Sequence, residues 1–434
     1  MALKKFEFAF GHGSQTVELP EEHISDILEG KMLPAVDIKE ATLNAMRNPI
    51  HSKPLQKLVR KGDKVCLIVA DITRIWNQSN KWLIYVIDEL NQAGIPDEDM
   101  FIVFAQGSHR AHVGDENVQI CGAEVAKRIK MYQHDCQAED MVDLGLTKIG
   151  THIMMNRQVY EADKTILIDG ITTHLFAGYG GGRKLILPGV VGFDTIQENH
   201  CHALHPEFGH GINMQTRSTL IETNPLNDDM LEACRMINPT FLVHSVLNAD
   251  GEICRMVGGN WYDAWLAGTE TVYEVQKAPM KQKADVVFAC AGGYPKDINL
   301  YQGCKCYDPA EAAVKDDGIV IAIIEAPDIK EPAIYMDSFR FDTPADMEAA
   351  LRAHFTIPFY VAFTLFSLDH RNKVILVTKP ENKEDVIRTG QVPVATVQEA
   401  WDIAKAELEK RGNKDYTINV MPHCASVFPV LTGK

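Results

Sequence analysis

Apolar runs that alternate with segments of helical spacing organise the first part of the chain. Residues 64–70 form a continuous apolar run of buried-strand length, and residues 81–90 then place apolar side chains on one helix face before Gly94. Further strand-like runs lie at residues 100–105 and 164–171. Continuous apolar strands separated by helices are typical of a mostly parallel sheet with both faces covered, so the pattern predicts an α/β domain.

The pattern starts again after a break near residue 261. Residues 241–247 and 253–257 flank a polar turn and predict a hairpin, and a helix predicted over residues 261–276 leads to a new strand at residues 284–290. Strands and helices then alternate, with strands predicted at residues 319–324 and 373–377 and helices at residues 309–315, 344–354 and 397–410. This alternation predicts a second α/β domain.

The length of the chain also indicates two domains, because 434 residues exceed what one hydrophobic core usually serves. We expect an N-terminal catalytic domain over residues 1–280 and a smaller domain over residues 281–410, with residues 411–434 returning to the first. Each domain is expected to be a mostly parallel sheet flanked by helices. The active site is expected in the cleft between them, since such clefts are favoured ligand sites.

Composition narrows the class of protein. Hydrophobic residues make up 46% and charged residues 24% of the chain, as in an ordinary soluble protein. A net charge of −16 argues against nucleic acid or an anionic membrane as the main partner, because either calls for a basic surface. The ten cysteines include no C-x-x-C pair, and no apolar stretch approaches a membrane span. We therefore expect a reduced, cytoplasmic protein.

Polar clusters directly follow three of the predicted strands. They are residues 71–74, residues 107–110 and residues 172–174, and they carry Asp71, Arg74, His109 and His174 among others. Ligands of open α/β sheets bind at the carboxyl ends of the strands, where these clusters are expected to meet. Taken singly, each cluster could equally be a helix cap or a turn.

A glycine-rich run ends in a lysine. Residues 178–184 suggest a phosphate loop, but Arg183 stands before Lys184 and Leu185 after it, where that motif has glycine and a hydroxyl residue. No G-x-G-x-x-G fingerprint for a dissociable nicotinamide cofactor follows a first strand either. What remains is a backbone cradle with a lysine, suited to an anionic ligand or to covalent attachment.

Two further segments leave alternatives open. Residues 199–206 contain His200, His202 and His205, which suggest either a metal site or a solvated turn, because no H-E-x-x-H or paired cysteine spacing supports a zinc enzyme. Residues 292–305 place tyrosine, glutamine and lysine after the first strand of the second domain. These side chains could face the interdomain cleft, or they could belong to a glycine turn and a solvated helix.

Together these segments resemble the nickel-dependent lactate racemase family of 2-hydroxy-acid racemases and epimerases. The motifs follow the family's order and span roughly residues 65 to 305. They are Asp71-x-Thr73-Arg74, Gly107-x-His109-Arg110, His174-x-Phe176-Ala177-Gly178 through Gly182-Arg183-Lys184 and Pro188-Gly189, Asn199-His200, and Pro295-Lys296-Asp297-x-Asn299-Leu300-Tyr301-Gln302-x-x-Lys305. No single motif is specific, whereas the set is.

The resemblance implies a nickel pincer nucleotide, a pyridinium mononucleotide that holds nickel through two sulfurs and a ring carbon. It implies that Lys184 is the covalent anchor, that His200 is the protein ligand to nickel, and that His109 and His174 are the acid/base residues. Cofactor binding is further implied for Asp71, Thr73, Arg74, Gly180, Gly181, Gly182 and Arg183, and substrate binding for Arg74, Trp76, Tyr301, Gln302 and Lys305.

The family's reaction is a hydride relay. One histidine takes the proton of the substrate's 2-hydroxyl while the hydrogen on C2 moves to the cofactor, and return to the other face inverts C2. The implied partners are a small 2-hydroxy acid and the proteins that make and load the cofactor. A homo-oligomer is compatible with this picture.

The chain departs from the lactate enzymes around the expected substrate pocket. After Arg74 they usually continue with proline, whereas this chain has Ile75-Trp76-Asn77-Gln78, and His112 adds a histidine after His109. These residues predict a substrate larger or more polar than lactate, such as a sugar acid. The alternative is that Trp76 packs beneath its loop.

Two rival classes of function remain. One is a metal-dependent hydrolase or lyase built on His200, His202 and His205. The other is a non-catalytic carrier of the nickel cofactor or a binding module, with an adduct on Lys184 and no role for His109 or His174 in turnover.

Overall fold

The computed structural model describes residues 2–432. Numbered along the chain, the strands are β1 (Leu3–Phe10), β2 (Gly13–Pro20), β3 (Ile24–Ile27), β4 (Val65–Ala70), β5 (Met100–Ala105), β6 (Lys130–Gln133), β7 (Met141–Leu146), β8 (His152–Asn156), β9 (Lys164–Ile171), β10 (Thr173–His174), β11 (Gly178–Tyr179), β12 (Phe241–Leu247), β13 (Ile253–Gly259), β14 (Lys277–Met280), β15 (Ala284–Cys290), β16 (Val314–Ile323), β17 (Lys373–Val377), β18 (Val392–Val394), β19 (Ile418–Met421) and β20 (Phe428–Leu431).

The α-helices are α1 (Ile38–Arg47), α2 (Leu83–Gln92), α3 (Glu116–Cys121), α4 (Ala123–Arg128), α5 (Arg157–Tyr160), α6 (Phe193–Cys201), α7 (Pro225–Ile237), α8 (Trp261–Gln276), α9 (Leu300–Gly303), α10 (Tyr307–Ala313), α11 (Ala333–Asp337), α12 (Pro344–Ala353), α13 (Ile357–Asp369), α14 (Lys383–Arg388) and α15 (Val397–Lys410). Two short 3-10 segments, Ile72–Asn77 and Gly182–Leu185, lie at the site described below. Among residues 2–432, no helix has the length and apolar character needed to cross a bilayer.

The chain divides into two compact units. The central unit comprises Met32–Ala203 and Asn213–Val275, and the terminal unit comprises residues 2–31, Leu204–Ile212 and residues 276–432. Both are α/β with parallel-rich sheets, which confirms the predicted fold class.

The central unit is built on a six-stranded sheet in the order β13-β12-β9-β4-β5-β6. Its strands are parallel except β13, which pairs antiparallel with β12 as the predicted hairpin. Every residue of β4 is buried, as its continuous apolar run predicts. Helix α2 buries Leu83, Val86, Ile87 and Leu90, whose spacing gives one apolar face against this sheet's core. The parallel strands therefore end at one edge, where the polar clusters begin.

The terminal unit contains an all-parallel sheet in the order β18-β17-β16-β15-β19-β3. Predicted helices α12 and α15 are present, whereas α13 was not predicted. This helix buries apolar side chains on all sides, so it lacks the polar face that marks an amphipathic helix.

The structure corrects the predicted domain boundaries. Residues 2–31 belong to the terminal unit rather than to the N-terminal domain, because Phe8 and Leu19 pack in the core that includes Phe288. The tail does return as a strand, but β19 pairs with β15 and β3 of the terminal unit's own sheet. A short apolar strand can be recognised from the sequence, but the sequence does not indicate which sheet the strand joins. The prediction therefore assigned residues 1–31 to the domain that follows them along the chain.

Candidate active site

Three of the predicted polar clusters meet at the carboxyl edge of the central sheet. Asp71 follows β4, and the loop after β5 carries His109, whose Nδ1 lies 2.6 Å from Asp71 Oδ2. Gly107 N–H donates to Gly189 O at 2.9 Å and so joins the loop after β5 to the segment after β9, within which Gly180 N–H donates to Thr172 O at 2.8 Å. The prediction that these clusters share one edge of the sheet agrees with this geometry.

A chain of hydrogen bonds orients His109. Arg74 Nη1 donates to Thr73 Oγ1 at 2.8 Å, and the Thr73 hydroxyl donates to Asp71 Oδ1 at 2.5 Å. When His109 Nδ1–H donates to the other Asp71 oxygen, Nε2 is left to exchange a proton. Burial acts to raise the pKa of Asp71, but the hydrogen bond and charge of His109 outweigh it and the pKa is lowered. Asp71 is therefore a carboxylate partner for a protonated imidazole.

The ring of Phe176 brings three other predicted site residues together. Its centre lies 4.5 Å from the ring of His174, 5.2 Å from that of His200 and 5.6 Å from Lys184 Nζ. The three residues are 26 positions apart at most, and they come from a short strand, a 3-10 turn and helix α6. An apolar ring between them keeps each polar group close to the others without pairing it with a carboxylate.

Burial opposes the charged form of all three groups. Burial lowers the pKa of His174 and of Lys184 well below their ordinary values, and neighbouring charges on Lys184, Arg183 and Arg74 add to the effect. Burial, followed by the charge of Lys184, lowers the pKa of His200 to about 3. His200 Nδ1–H donates to Ile196 O at 2.8 Å, which leaves Nε2 as the atom available to a metal. An uncharged lysine is a nucleophile, and an uncharged histidine is a base or a ligand.

Asp169 is a site residue that the sequence analysis missed. It lies near the end of β9, is 4% exposed, and accepts from Gly170 N–H at 2.7 Å and Asn77 Nδ2 at 3.1 Å. Burial raises its pKa to about 6, while the charge of Arg74 opposes the rise. The sequence did contain a signal for Asp169, because an aspartate inside a buried apolar strand requires polar partners.

The glycine run differs from the anion cradle that was expected. Its amides are used within the protein: Gly180 N–H donates to Thr172 O, Gly182 N–H to His244 Nε2 at 2.7 Å, and Lys184 N–H to Gly181 O at 3.1 Å. The neighbouring Arg183 side chain is fully buried among protein acceptors. The reason is close packing, since a β-carbon on Gly181 would lie 2.8 Å from Gly170 O. Gly180, Gly182 and Arg183 thus shape the loop from inside.

The residues that suggested an unusual substrate have structural partners. Trp76 packs over Gly170, where a β-carbon would come within 2.8 Å of the indole. Gln78 Nε2 donates to Gly251 O at 2.6 Å. His112 is 7% exposed and accepts from Ile72 N–H at 3.1 Å. This arrangement agrees with the alternative named for Trp76, in which its side chain packs beneath the loop.

Tyr301, Gln302 and Lys305 lie in the terminal unit. Asn299 Oδ1 caps α9 by accepting from Gln302 N–H at 2.8 Å, and Lys305 Nζ donates to Gln302 Oε1 at 2.8 Å. The Tyr301 ring packs edge-on against Tyr335 with centroids 5.7 Å apart. The three residues therefore form one compact group on a single turn.

His200, His202 and His205 have separate surroundings. His200 is buried against Phe176, His202 is half-buried, and His205 stacks on His210 with ring centroids 4.6 Å apart. Within residues 2–432, no group of three or more His, Cys, Asp or Glu side chains is arranged to hold a metal ion. The rival metal trio therefore finds no geometric support.

Comparison with known proteins gives matches along nearly the whole chain. A family model described as the lactate racemase N-terminal domain matches residues 10–211, and one described as the lactate racemase C-terminal domain matches residues 280–429. A lactate racemase from Thermoanaerobacterium thermosaccharolyticum is 30% identical over 98% of this chain and 99% of its own length. A lactate racemase from Lactiplantibacillus plantarum is 30% identical over 67% of this chain and 66% of its own length.

Solved structures agree with these matches. The lactate racemase apoprotein from T. thermosaccharolyticum superposes with a TM-score of 0.89 at 30% identity, covering 98% of this chain and 100% of that one. A protein from Thermotoga maritima shares the fold with a TM-score of 0.61 at 15% identity, covering 87% of this chain and 96% of that one.

Proposed function

The chain belongs to the lactate racemase family, and we propose that it is a racemase that inverts C2 of a small 2-hydroxy acid. The observation that carries the proposal is the pairing of two histidines of different character at one sheet edge. His109 is backed by Asp71 at 2.6 Å, whereas His174 packs on Phe176 beside Lys184. Inversion of an alcohol carbon needs a proton acceptor and a proton donor for the hydroxyl, and two histidines can supply both.

The residues also fit the nickel pincer nucleotide that the family implies. Lys184 has an amine whose pKa is lowered by burial and would be its covalent tether, while His200 presents Nε2 and would be the protein ligand to nickel. When bound, the cofactor would supply a site that takes the C2 hydrogen as hydride and returns it. We leave Gly180, Gly182 and Arg183 out of the phosphate-binding role, because the N–H groups of these two glycines and the Arg183 side chain donate within the protein.

The chain's own residues perform the proton transfers. His109 Nε2 removes the hydroxyl proton of one enantiomer, and Asp71 stabilises the imidazolium that forms. His174 serves the other enantiomer, and its surroundings make the protonated form a strong acid that readily returns the proton. Arg74 is the proposed partner of the substrate carboxylate, in keeping with the preference of guanidinium groups for such anions.

The substrate class is a 2-hydroxy acid. The expectation of a larger or more polar acid rests on Trp76, Gln78 and His112, which also have packing and hydrogen-bond partners within the protein. Lactate is the known substrate in the names of the relatives, and it is therefore the first acid to test, followed by a longer aliphatic, a dicarboxylic and a sugar acid.

The test uses the full chain coexpressed with cofactor-making proteins. Intact-mass measurement and nickel quantification should give an adduct on Lys184 with stoichiometric nickel, and chiral chromatography should show racemisation of one acid. A hydride relay returns the substrate's own hydrogen, so the product formed in deuterated water should carry no deuterium at C2. Loaded protein that racemises none of the acids would instead indicate the cofactor carrier. An unmodified Lys184 would remove the cofactor from the proposal.

A further inference from the structure

Arg183 is a fully buried arginine that has no carboxylate partner among residues 2–432. Nε donates to Asn227 Oδ1 at 2.9 Å, Nη1 to Tyr179 O at 2.7 Å and Nη2 to Ala177 O at 2.5 Å. The guanidinium also lies 4.1 Å from the centre of the Trp265 ring. Buried charges are normally paired, so a guanidinium that is satisfied by neutral acceptors alone is a costly feature that calls for an explanation.

The guanidinium is the centre around which the glycine loop folds. It binds the carbonyls of residues 177, 179 and 181, which are alternate residues of the loop. Positive φ angles at Gly178 (74°) and Gly181 (68°) let the backbone bend around the charge. From outside, Trp265 Nε1–H donates to Gly180 O at 2.9 Å. The loop therefore has one conformation fixed from both sides.

This loop leads directly into the residue that carries the chemistry. Arg183 lies in the same 3-10 turn as Lys184, whose N–H donates to Gly181 O at 3.1 Å, and that carbonyl also accepts from Arg183. The Lys184 amine is then held over Phe176. A shift of the guanidinium would move the turn and with it the lysine.

We propose that Arg183 is a positioning residue that sets both the place and the reactivity of the Lys184 amine. The inference rests on the proposed function only in taking Lys184 as the tether. Because nothing neutralises its charge, Arg183 repels a proton on the neighbouring amine, as a nearby cation does in other reactive-lysine sites. Arg74 adds to this repulsion, whereas Asp169 opposes it, and His174 and His200 are uncharged neighbours.

The test measures the reactivity of Lys184 in the full chain before cofactor loading. Trace acetylation with acetic anhydride modifies only uncharged amines, so peptide mass spectrometry across pH gives a midpoint for Lys184, with the exposed Lys148 as internal reference. In N227D, a carboxylate replaces the Asn227 amide oxygen beside Arg183 Nε and supplies the missing counter-charge. We expect the Lys184 midpoint to rise by at least one pH unit.

Matched variants separate charge from shape. N227L loses the bond from Asn227 Nδ2 to Ile221 O, as N227D does, and also loses the acceptor of Arg183 Nε, but it adds no charge, so its Lys184 midpoint should stay at the wild-type value. R183K keeps the positive charge but not the planar set of hydrogen-bond donors. The Lys184 midpoint should therefore stay low in this variant, while the acetylation rate of Lys184 at high pH changes several-fold. R183M should raise the midpoint, whereas R235M on the exposed face of α7 should not.

An unchanged midpoint in N227D would overturn the proposed effect of charge, even if R183M fails to fold. Equal midpoints and plateau rates in R183K and wild type would overturn the positioning role. Both outcomes are independent of the proposed racemase activity, which is measured on loaded wild-type protein.

Discussion

At the scale of single residues, the two site histidines have opposite electrostatic surroundings. A protonated His109 gains the carboxylate of Asp71, whereas a protonated His174 would face Lys184 and Arg74. A close opposite charge favours the charged form of a group and a like charge opposes it, so the neighbours of the two histidines act in different directions. Two histidines in such unlike surroundings suit a reaction in which one gives up a proton while the other accepts one.

The D71N variant tests the orientation of His109. An amide keeps the size of the side chain but cannot stabilise the imidazolium, and it admits the wrong tautomer, so we expect kcat to fall by about 10²–10⁴-fold. The measurement is the initial racemisation rate of loaded enzyme from each enantiomer. E116Q is the control, because Glu116 pairs with Arg110 in the same loop without touching His109. Equal losses in the two variants would contradict the assigned role.

The buried carboxyl of Asp169 predicts a pH-dependent stability. Its pKa is about 6 in the folded chain and about 4 in an unfolded one, so between these values the unfolded state loses its proton first and wild-type stability falls as pH rises. D169N removes this loss, and it should be more stable than wild type by about 2–3 kcal/mol above pH 6, with no such gain below pH 4. Chemical denaturation from pH 4 to pH 8 measures the difference. A constant gap at all pH values would contradict the raised pKa.

At the scale of elements, the glycine loop shows what one turn requires of its sequence. Gly181 has φ of 68° and lies against the backbone carbonyl of Gly170, whereas a β-carbon on Gly180 would meet its nearest atom at 3.7 Å. The sequence reveals the glycines but not which of them are required, because that depends on Gly170 and His244 from neighbouring strands. For this reason the loop was predicted as an open cradle and is in fact packed.

Alanine variants of these two glycines form a matched pair. G181A should destabilise the central unit by about 1–3 kcal/mol, from the left-handed backbone and the clash with Gly170 O, and should lower acetylation of Lys184. G180A should change the free energy of unfolding by less than about 0.5 kcal/mol. Denaturant unfolding measures both. Equal destabilisation would mean that the packing of Gly181 is not what selects glycine there.

The long buried strands were predicted well, whereas short strands such as β6, β14 and β18 and some helices were not, for a physical reason. Strands β4, β5 and β9 are buried on both faces and read as continuous apolar runs. Helix α13 is also apolar all round, so its composition does not separate it from a buried strand. At the site, Asp71, His109 and His174 were predicted because each follows a strand, while Asp169 was missed because it lies inside one.

At the scale of the whole molecule, chain order and unit membership differ. The terminal unit takes residues 2–31 from the start of the chain and Leu204–Ile212 from its middle. Within that unit Glu348 accepts from Gly209 N–H at 3.1 Å and Gly211 N–H at 3.0 Å, which anchors the middle segment. Such long-range partners depend on tertiary packing, and hydrophobic periodicity, which is local, does not report them.

This membership predicts how fragments of the chain fold. Residues 276–434 lack β3, the edge partner of β19, and the β1–β2 hairpin, which buries Phe6, Phe8, Val17 and Leu19 in the terminal core. Losing these four side chains removes about 6–12 kcal/mol of stabilisation from hydrophobic burial, which is comparable to the whole free energy of unfolding of a domain. We therefore expect this fragment to lack a cooperative thermal transition by circular dichroism.

Joining residues 1–31 to residue 276 through a long Gly/Ser linker should restore that transition, since it returns the missing strand and hairpin without adding any part of the central unit. Phe8 stacks on Phe288 with ring centroids 6.0 Å apart, so F8A in the joined fragment should lower the midpoint, as expected for an emptied core position. An exposed substitution in the same hairpin, E18Q, is the control. The prediction is wrong if residues 276–434 alone unfold cooperatively with the same midpoint as the joined fragment. In that case the core of the terminal unit is complete without the N-terminal segment.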